Sequence, residues 1–440
     1  MPTAQQPSFY RHFFHLAIVN VVSNLMVPLA GLVDTAFLGH LTEIRHFAGV
    51  VLATVLFNYI YWTFGFLRMA TTGTTAQAVG RGDRPAILLI GLRNGLLALA
   101  IGSLILLLQV PLRTLGFALV NATPEVKVAG QAYFDALIWA APATLVNYVL
   151  IGWFLGREQS GKVLLLSAVA NGANVLLDYL LIVRLGWESA GAGWATAASQ
   201  YLMLLVGLIL VGREIQGREW RSLLPHLWDT AALKAAFLLN GEILVRTFAL
   251  ITTFALFTNL SSGLGTIVLS TNAALLQVVS LAAYFIDGLA FATESLAGVF
   301  HGRGSSDGLA QLLRVSGITC LGLGLFFAIA FLLFPTPLFS LLTSHRDLLD
   351  RFPAYVPWLF PVLGFGSIAY MLDGYFLGLT QGQILRRSTL ISAAGFTPVA
   401  IVAWSFRSSH LLWLALSVFM ATRAATLATQ VPQTLKMPQE

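Results

Sequence analysis

Long apolar runs recur along the chain, each ended by a short break rich in Arg, Gly or Asp. A helix needs about 20 mostly apolar residues to cross a bilayer. Twelve segments meet that requirement, at 13–41, 46–79, 88–109, 130–156, 162–185, 191–212, 232–260, 265–300, 311–334, 352–378, 388–406 and 409–431. The breaks alternate in charge. Counted with the adjoining ends of the segments, those after even-numbered segments hold thirteen Lys and Arg, among them Arg81, Arg84, Arg93, Arg157 and Lys162, against seven after odd-numbered ones. Excess Lys and Arg mark the cytoplasmic side, so an even number of spans is expected, with both termini cytoplasmic.

The pattern also repeats. Gly80-Arg81-Gly82 closes the second segment and Gly302-Arg303-Gly304 the eighth, 222 residues later. Gly152-Trp153-Phe154-Leu155-Gly156 closes the fourth and Gly374-Tyr375-Phe376-Leu377-Gly378 the tenth, at the same spacing of 222 residues. Six spans per half is an even number, so the halves share an orientation. Parallel repeats of this kind place substrate between the halves, near the midplane. The expected fold is therefore all-α and membrane-integral, with twelve transmembrane helices in two pseudo-symmetric six-helix lobes, 1–217 and 218–440. The longest polar stretch, 212–230, is the expected linker. Its Trp220, Leu223, Leu224 and Leu227 suit either a membrane-surface helix or a solvated link.

Composition agrees. Apolar residues are 57% of the 440 and charged ones only 10%, far below the roughly 25% of a soluble domain. The net charge of +6 is accounted for by orientation in the membrane, and no nucleic-acid partner is expected. The first fifteen residues lack the apolar core of a signal peptide, so the first segment is expected to be an uncleaved span. The single cysteine, Cys320, rules out a disulfide framework and a thiolate metal site. No phosphate-binding loop, HExxH or CxxC motif occurs, so neither ATP hydrolysis nor a membrane-embedded enzyme is expected, and no cofactor.

An ionisable group inside a span is costly and marks function by default. The candidates are Asp34, Arg68, Asp135, Asp178, Glu242, Arg246, Asp287, Glu294 and Asp373. Asp34 follows Pro28 and Gly31, and proline weakens a helix by removing a hydrogen bond; a carboxylate beyond a weak point suits a switch, or caps a broken helix. Asn174 and Asp178, four apart, share a helix face. Counted from the outer ends of their spans, Asp34, Asp178 and Thr196 lie at a common depth of roughly 8–11 Å, with Asn174 one turn deeper. Two carboxylates, an amide and a hydroxyl at one depth suit a proton or sodium site, since like charges resist joint ionisation unless a cation shields them; a satisfied polar network is the plainer alternative. In the second half, Glu242 and Arg246 are spaced for an intrahelical pair. Arg68 and Asp287 share a depth and are expected to pair, and Asp135 to be hydrated. Tyr59, Tyr61, Trp62 and Tyr284 are able to line a cavity for cations through their ring faces, or to serve as ordinary packing.

The chain resembles the multidrug and toxic compound extrusion (MATE) family, in its DinF-like branch. The resemblance rests on PLAGLVDTAFLGHL (28–41), FLRMATTGTTAQAVG (66–80), APATLVNYVLIGWFLG (141–156), ANGANVLLD (170–178), GAGWATAASQY (191–201), LNGEILVRT (239–247), AYFIDGLAFATESLAG (283–298) and MLDGYFLG (371–378). It implies two six-helix lobes forming a V around a central cavity. It implies export of amphipathic, often cationic compounds driven by inward flow of protons or sodium. In similar proteins a cation site uses positions matching Asp34, Asn174, Asp178 and Thr196; acidic groups of the second lobe, used in other members, match Glu242, Asp287 and Asp373. One departure is Leu137, where related sequences carry an Arg; it leaves open whether Asp135 is paired. The expected protein is a monomeric, cation-coupled exporter in the bacterial inner membrane, in contact with lipids and amphipathic cations. The alternative is a flippase for a lipid-linked precursor. Such flippases need basic groups in the cavity, and the acids above outnumber the bases.

Overall fold

The structure, a computed structural model, describes residues 9–39, 43–120, 122–215, 219, 223–340 and 346–436. Among these residues there is no strand. Twelve helices are long and apolar enough to cross a membrane: Phe9–Gly39, Ile44–Arg81, Arg84–Leu107, Pro124–Gly156, Ser160–Arg184, Glu188–Gly212, Thr230–Gly263, Thr266–Gly302, Ser306–Leu333, Asp347–Gly378, Gly382–Ser405 and Ser409–Leu435. They are spans one to twelve. No boundary differs by more than six residues from the hydropathy pattern. Many Leu, Ile, Val and Phe along them are exposed, as lipid permits.

Several spans are interrupted. Span two stops at Thr63 and resumes at Phe66, with Gly65 between. Span four tightens into a 3₁₀ turn at Ile138–Ala140 just before Ala141–Pro142, where Pro142 has no N–H to offer the preceding turn. Span five widens into a π-helical turn at Tyr179–Arg184, immediately after Asp178. Proline lies inside span one (Pro28) and span eleven (Pro398).

The repeat seen in the sequence is also a repeat of packing. Gly82 and Gly304 end their helices with φ of 69° and 68°, a left-handed conformation that glycine adopts without cost. Glu158 and Thr380, also 222 residues apart, take φ of 58° and 57° in matching turns. In the first half Gly152 and Gly156 of span four lie against the carbonyls of Arg68 and Thr72 in span two. In the second half Gly374 and Gly378 of span ten lie against the carbonyls of Ala290 and Glu294 in span eight. A Cβ at Gly156 would stand 2.6 Å from Thr72 O, and one at Gly374 2.5 Å from Ala290 O. Small residues thus set the closest helix crossing in both halves, as is common in membranes, where lipid removes the hydrophobic drive between helices.

The chain divides into two compact units. One is Leu25–Ala236; the other begins at Phe237 and also takes in the chain up to Asn24. This division differs from the boundary expected at 217/218. Span one begins in the second unit because its first turns pack there: Asn24 Nδ2 donates to Tyr284 O at 2.8 Å, Val21 lies against Gly288, and Phe9 meets Phe300 with ring centroids 6.1 Å apart. The linker is tied to span three. Arg84 Nε pairs with Glu219 at 2.8 Å, and Arg93 donates to the carbonyls of His226 and Leu227. Leu223 is buried, Leu224–His226 form one 3₁₀ turn, and Trp220 lies outside the described residues.

Candidate functional site

In the unit Leu25–Ala236, four spans bring polar groups together. Asp34 of span one and Asp178 of span five lie within hydrogen-bonding reach of each other. One turn before Asp178, Asn174 Nδ2 donates to Thr196 Oγ1 of span six at 3.2 Å, and the Thr196 hydroxyl donates to Ala192 O at 3.1 Å. Asp178 is wholly buried and Asn174 only 5% exposed. Both carboxylate oxygens of Asp178, and Oδ1 of Asp34, lack a hydrogen-bond donor among the described residues. Neither acid has an ion-pair partner there. The turn after Asp178 is π-helical, a distortion that frequently accompanies functional positions.

Tyr133 of span four completes the cluster, and the sequence pattern passed over it. It is 7% exposed. Its hydroxyl lies near Thr54 and Thr196, and it faces both Asp34 and Asp178. It comes this close because span six carries Gly193 opposite: a Cβ there would stand 2.7 Å from Tyr133 O. A tyrosine among many aromatics gives no sequence signal. The available one is its place three residues past Gly130, which packs on Gly49 of span two.

This arrangement has definite chemistry. Two adjacent carboxylates taken out of water resist simultaneous charge, and a proton shared between them or a bound cation relieves both. The surrounding amide and hydroxyl oxygens are hard donors of the kind alkali and alkaline-earth cations accept. Tyr61 lies near Tyr133, Tyr148 and Tyr201. By contrast Tyr59 and Trp62 are more than half exposed, so only part of the expected aromatic set gathers around this site.

The second unit is built differently. Arg246 of span seven and Arg423 of span twelve both place Nη2 on Oδ2 of Asp373 in span ten. Arg423 is wholly buried, with its guanidinium 5.8 Å from the Tyr370 ring centroid. Asp287 of span eight faces Arg423 and Tyr370. The expected Glu242–Arg246 pairing gives way to other partners: Glu242 pairs with Arg386 at 2.9 Å, and Arg246 with Asp373. Helical spacing identified neighbours along one helix, but stronger partners on other helices win. Arg423 was missed although it too is an ionisable residue inside a span. Arg68 faces Tyr148 in the first unit, whereas its expected partner Asp287 belongs to the second. Asp135, expected to be hydrated, is half exposed and pairs with Arg113 at 2.6 Å; a guanidinium from the preceding segment takes the role left open by Leu137. Glu294 is buried in span eight.

A helical, twelve-span membrane protein made of repeated halves, with unneutralised carboxylates buried between helices, has the build of a secondary transporter. The MatE family signature matches residues 20–180 and 243–404, one stretch in each half. The chain belongs to that family of multidrug efflux transporters. It is 34% identical to DNA damage-inducible protein F of Escherichia coli (strain K12) over 421 residues, 94% of this chain and 90% of that one. It is 24% identical to the probable multidrug resistance protein NorM of Thermotoga maritima over 372 residues, 82% and 78% of the two chains. In fold it is similar to a MOP superfamily transporter from Pyrococcus furiosus, with a TM-score of 0.86 at 18% identity, covering 97% of this chain and 96% of that one.

Proposed function

We propose that the chain exports amphipathic cations across the bacterial cytoplasmic membrane in exchange for protons or sodium ions moving inward. The observation that carries this reading is the pair Asp34 and Asp178, two carboxylates in mutual reach without a neutralising side chain among the described residues. Such a pair takes up a proton or a small cation, with Asn174, Thr196 and Tyr133 as the surrounding oxygen donors. Occupancy changes the hydrogen bonds open to span one, which carries Pro28 less than two turns before Asp34. The ion drives transport because its affinity differs between two shapes of that span; without such a difference nothing is driven. The excess of Lys and Arg after even-numbered spans supports cytoplasmic termini. The buried ring of Tyr133, which faces both acids, suits a cationic cargo.

The test is efflux of a fluorescent amphipathic cation in everted vesicles, with proton and sodium gradients imposed separately. The wild type is expected to transport under one gradient. Asp34→Asn and Asp178→Asn keep size and hydrogen bonding but remove the charge, and both are expected to abolish the gradient-driven component while remaining folded. Wild-type rates in either variant, at matched expression, would remove the pair from the mechanism.

A further inference from the structure

The polar groups of the two units differ in sign. Among the described residues, the charged side chains around Asp34 and Asp178 are carboxylates alone. Around Asp373 they are two guanidiniums on one carboxylate oxygen, and the Nε and Nη1 donors of Arg423 are buried with no acceptor among the described residues. Asp287 faces Arg423 from span eight. Arg246, Arg423, Asp373 and Asp287 together carry no net charge. Spans eleven and twelve bring no acid to this cluster, since Gly382–Ser405 and Ser409–Leu435 contain neither Asp nor Glu.

We infer that Arg246 and Arg423 are the permanent counter-ions of Asp373, so that this carboxylate takes no part in binding the coupling ion. This departs from the role that the family resemblance suggested for Asp373, and it rests on the reading of the chain as an ion-coupled exporter. The physical reason is competition. A guanidinium stays charged at any physiological pH and cannot hand over its proton. Both are tethered to their own helices and already sit on Oδ2 of Asp373, so a free cation would have to displace two groups held at very high local concentration. It would enter a field made positive by them, and each displaced Arg would be left buried without its partner, which is strongly unfavourable. Arg246 and Arg423 are positioning residues that fix spans seven, ten and twelve to one another.

Charge rescue tests this. Asp373→Asn removes the carboxylate that the two buried guanidiniums share, and is expected to lower both the yield and the melting temperature of the detergent-solubilised protein. Adding Arg423→Gln restores the balance between Arg246 and Asp287. The double variant is expected to regain folding, and to export with the wild-type ion dependence at a rate within about twofold of wild type, since additivity fails for groups in one network. A double variant that folds but has lost gradient-driven export, as Asp178→Asn is expected to, overturns the inference. A second measurement on the wild type decides the matter if neither variant folds. Dicyclohexylcarbodiimide modifies carboxyl groups that carry a proton in apolar surroundings, and adducts are mapped by mass spectrometry. An adduct is expected on Asp34 or Asp178, suppressed by the coupling ion, and none on Asp373. An ion-protected adduct on Asp373 overturns the inference; absence of any adduct on Asp34 and Asp178 overturns instead the reading of the first site.

Discussion

Tyr133 and Arg423 are the residues whose importance lies in three-dimensional company rather than in the sequence pattern. Tyr133 offers one hydroxyl to a group of acids and hydroxyls. An intramolecular hydrogen bond contributes about 0.5–1.5 kcal/mol, and about 1.4 kcal/mol is tenfold in an equilibrium constant. Tyr133→Phe keeps the ring and is expected to shift the ion concentration for half-maximal export by up to about tenfold, with folding and maximal cargo binding retained. Efflux titrated against pH and against sodium in vesicles reads this directly; an unchanged midpoint would leave Tyr133 a packing residue. Asp34, Asn174, Asp178 and Thr196 were legible because charge and polarity inside a span are rare and their depth can be counted. The Glu242–Arg246 pairing was not, because spacing along one helix says nothing of Arg386 or Asp373 arriving from elsewhere.

Among the elements, spans four and ten carry the repeated glycines. At Gly156 the neighbours of an added side chain are backbone and close: Thr72 O at 2.6 Å, Thr75 Cβ at 2.8 Å and Ala76 N at 3.0 Å. Backbone within a helix cannot step aside as a flexible side chain does. Gly156→Val is therefore expected to destabilise by about 1–3 kcal/mol or more, the usual effect of overpacking. Gly172→Ala in span five, where nothing lies within 4 Å, is the matched control and is expected to be neutral. Thermal unfolding in detergent compares the two; equal behaviour would mean the span four crossing is looser than its geometry states. The spans themselves were legible from length and apolarity, because in lipid every backbone group must be satisfied within its own helix. Their interruptions at Phe64–Gly65, Ile138–Ala140 and Tyr179–Arg184 were not. Such breaks are settled by packing against neighbours, and only Gly65 and Pro142 leave a trace in the sequence.

For the whole molecule, the sequence repeat announced two halves, and the structure adds that compact units and halves of the chain are different things. Composition placed the boundary at the polar linker; packing places it at 236/237 and assigns the first turns of span one to the later unit. The consequence concerns biogenesis. The ribosome delivers span one first, yet the partners of Val21 and Asn24 are Gly288 and Tyr284, which emerge more than half a chain later. Until then the buried polar face of that helix, with Asn20 and Ser23, has only lipid or a chaperone to meet. The nascent first half is thus a substrate for membrane quality control, and assembly is completed from the far end. Cutting the chain within 216–222 is expected to give a first fragment that is degraded when expressed alone and persists when the second is supplied in the same cell. Pulse-chase labelling of the two fragments, separately and together, measures it. A first fragment equally long-lived in both settings would show that its leading helix needs nothing from the rest.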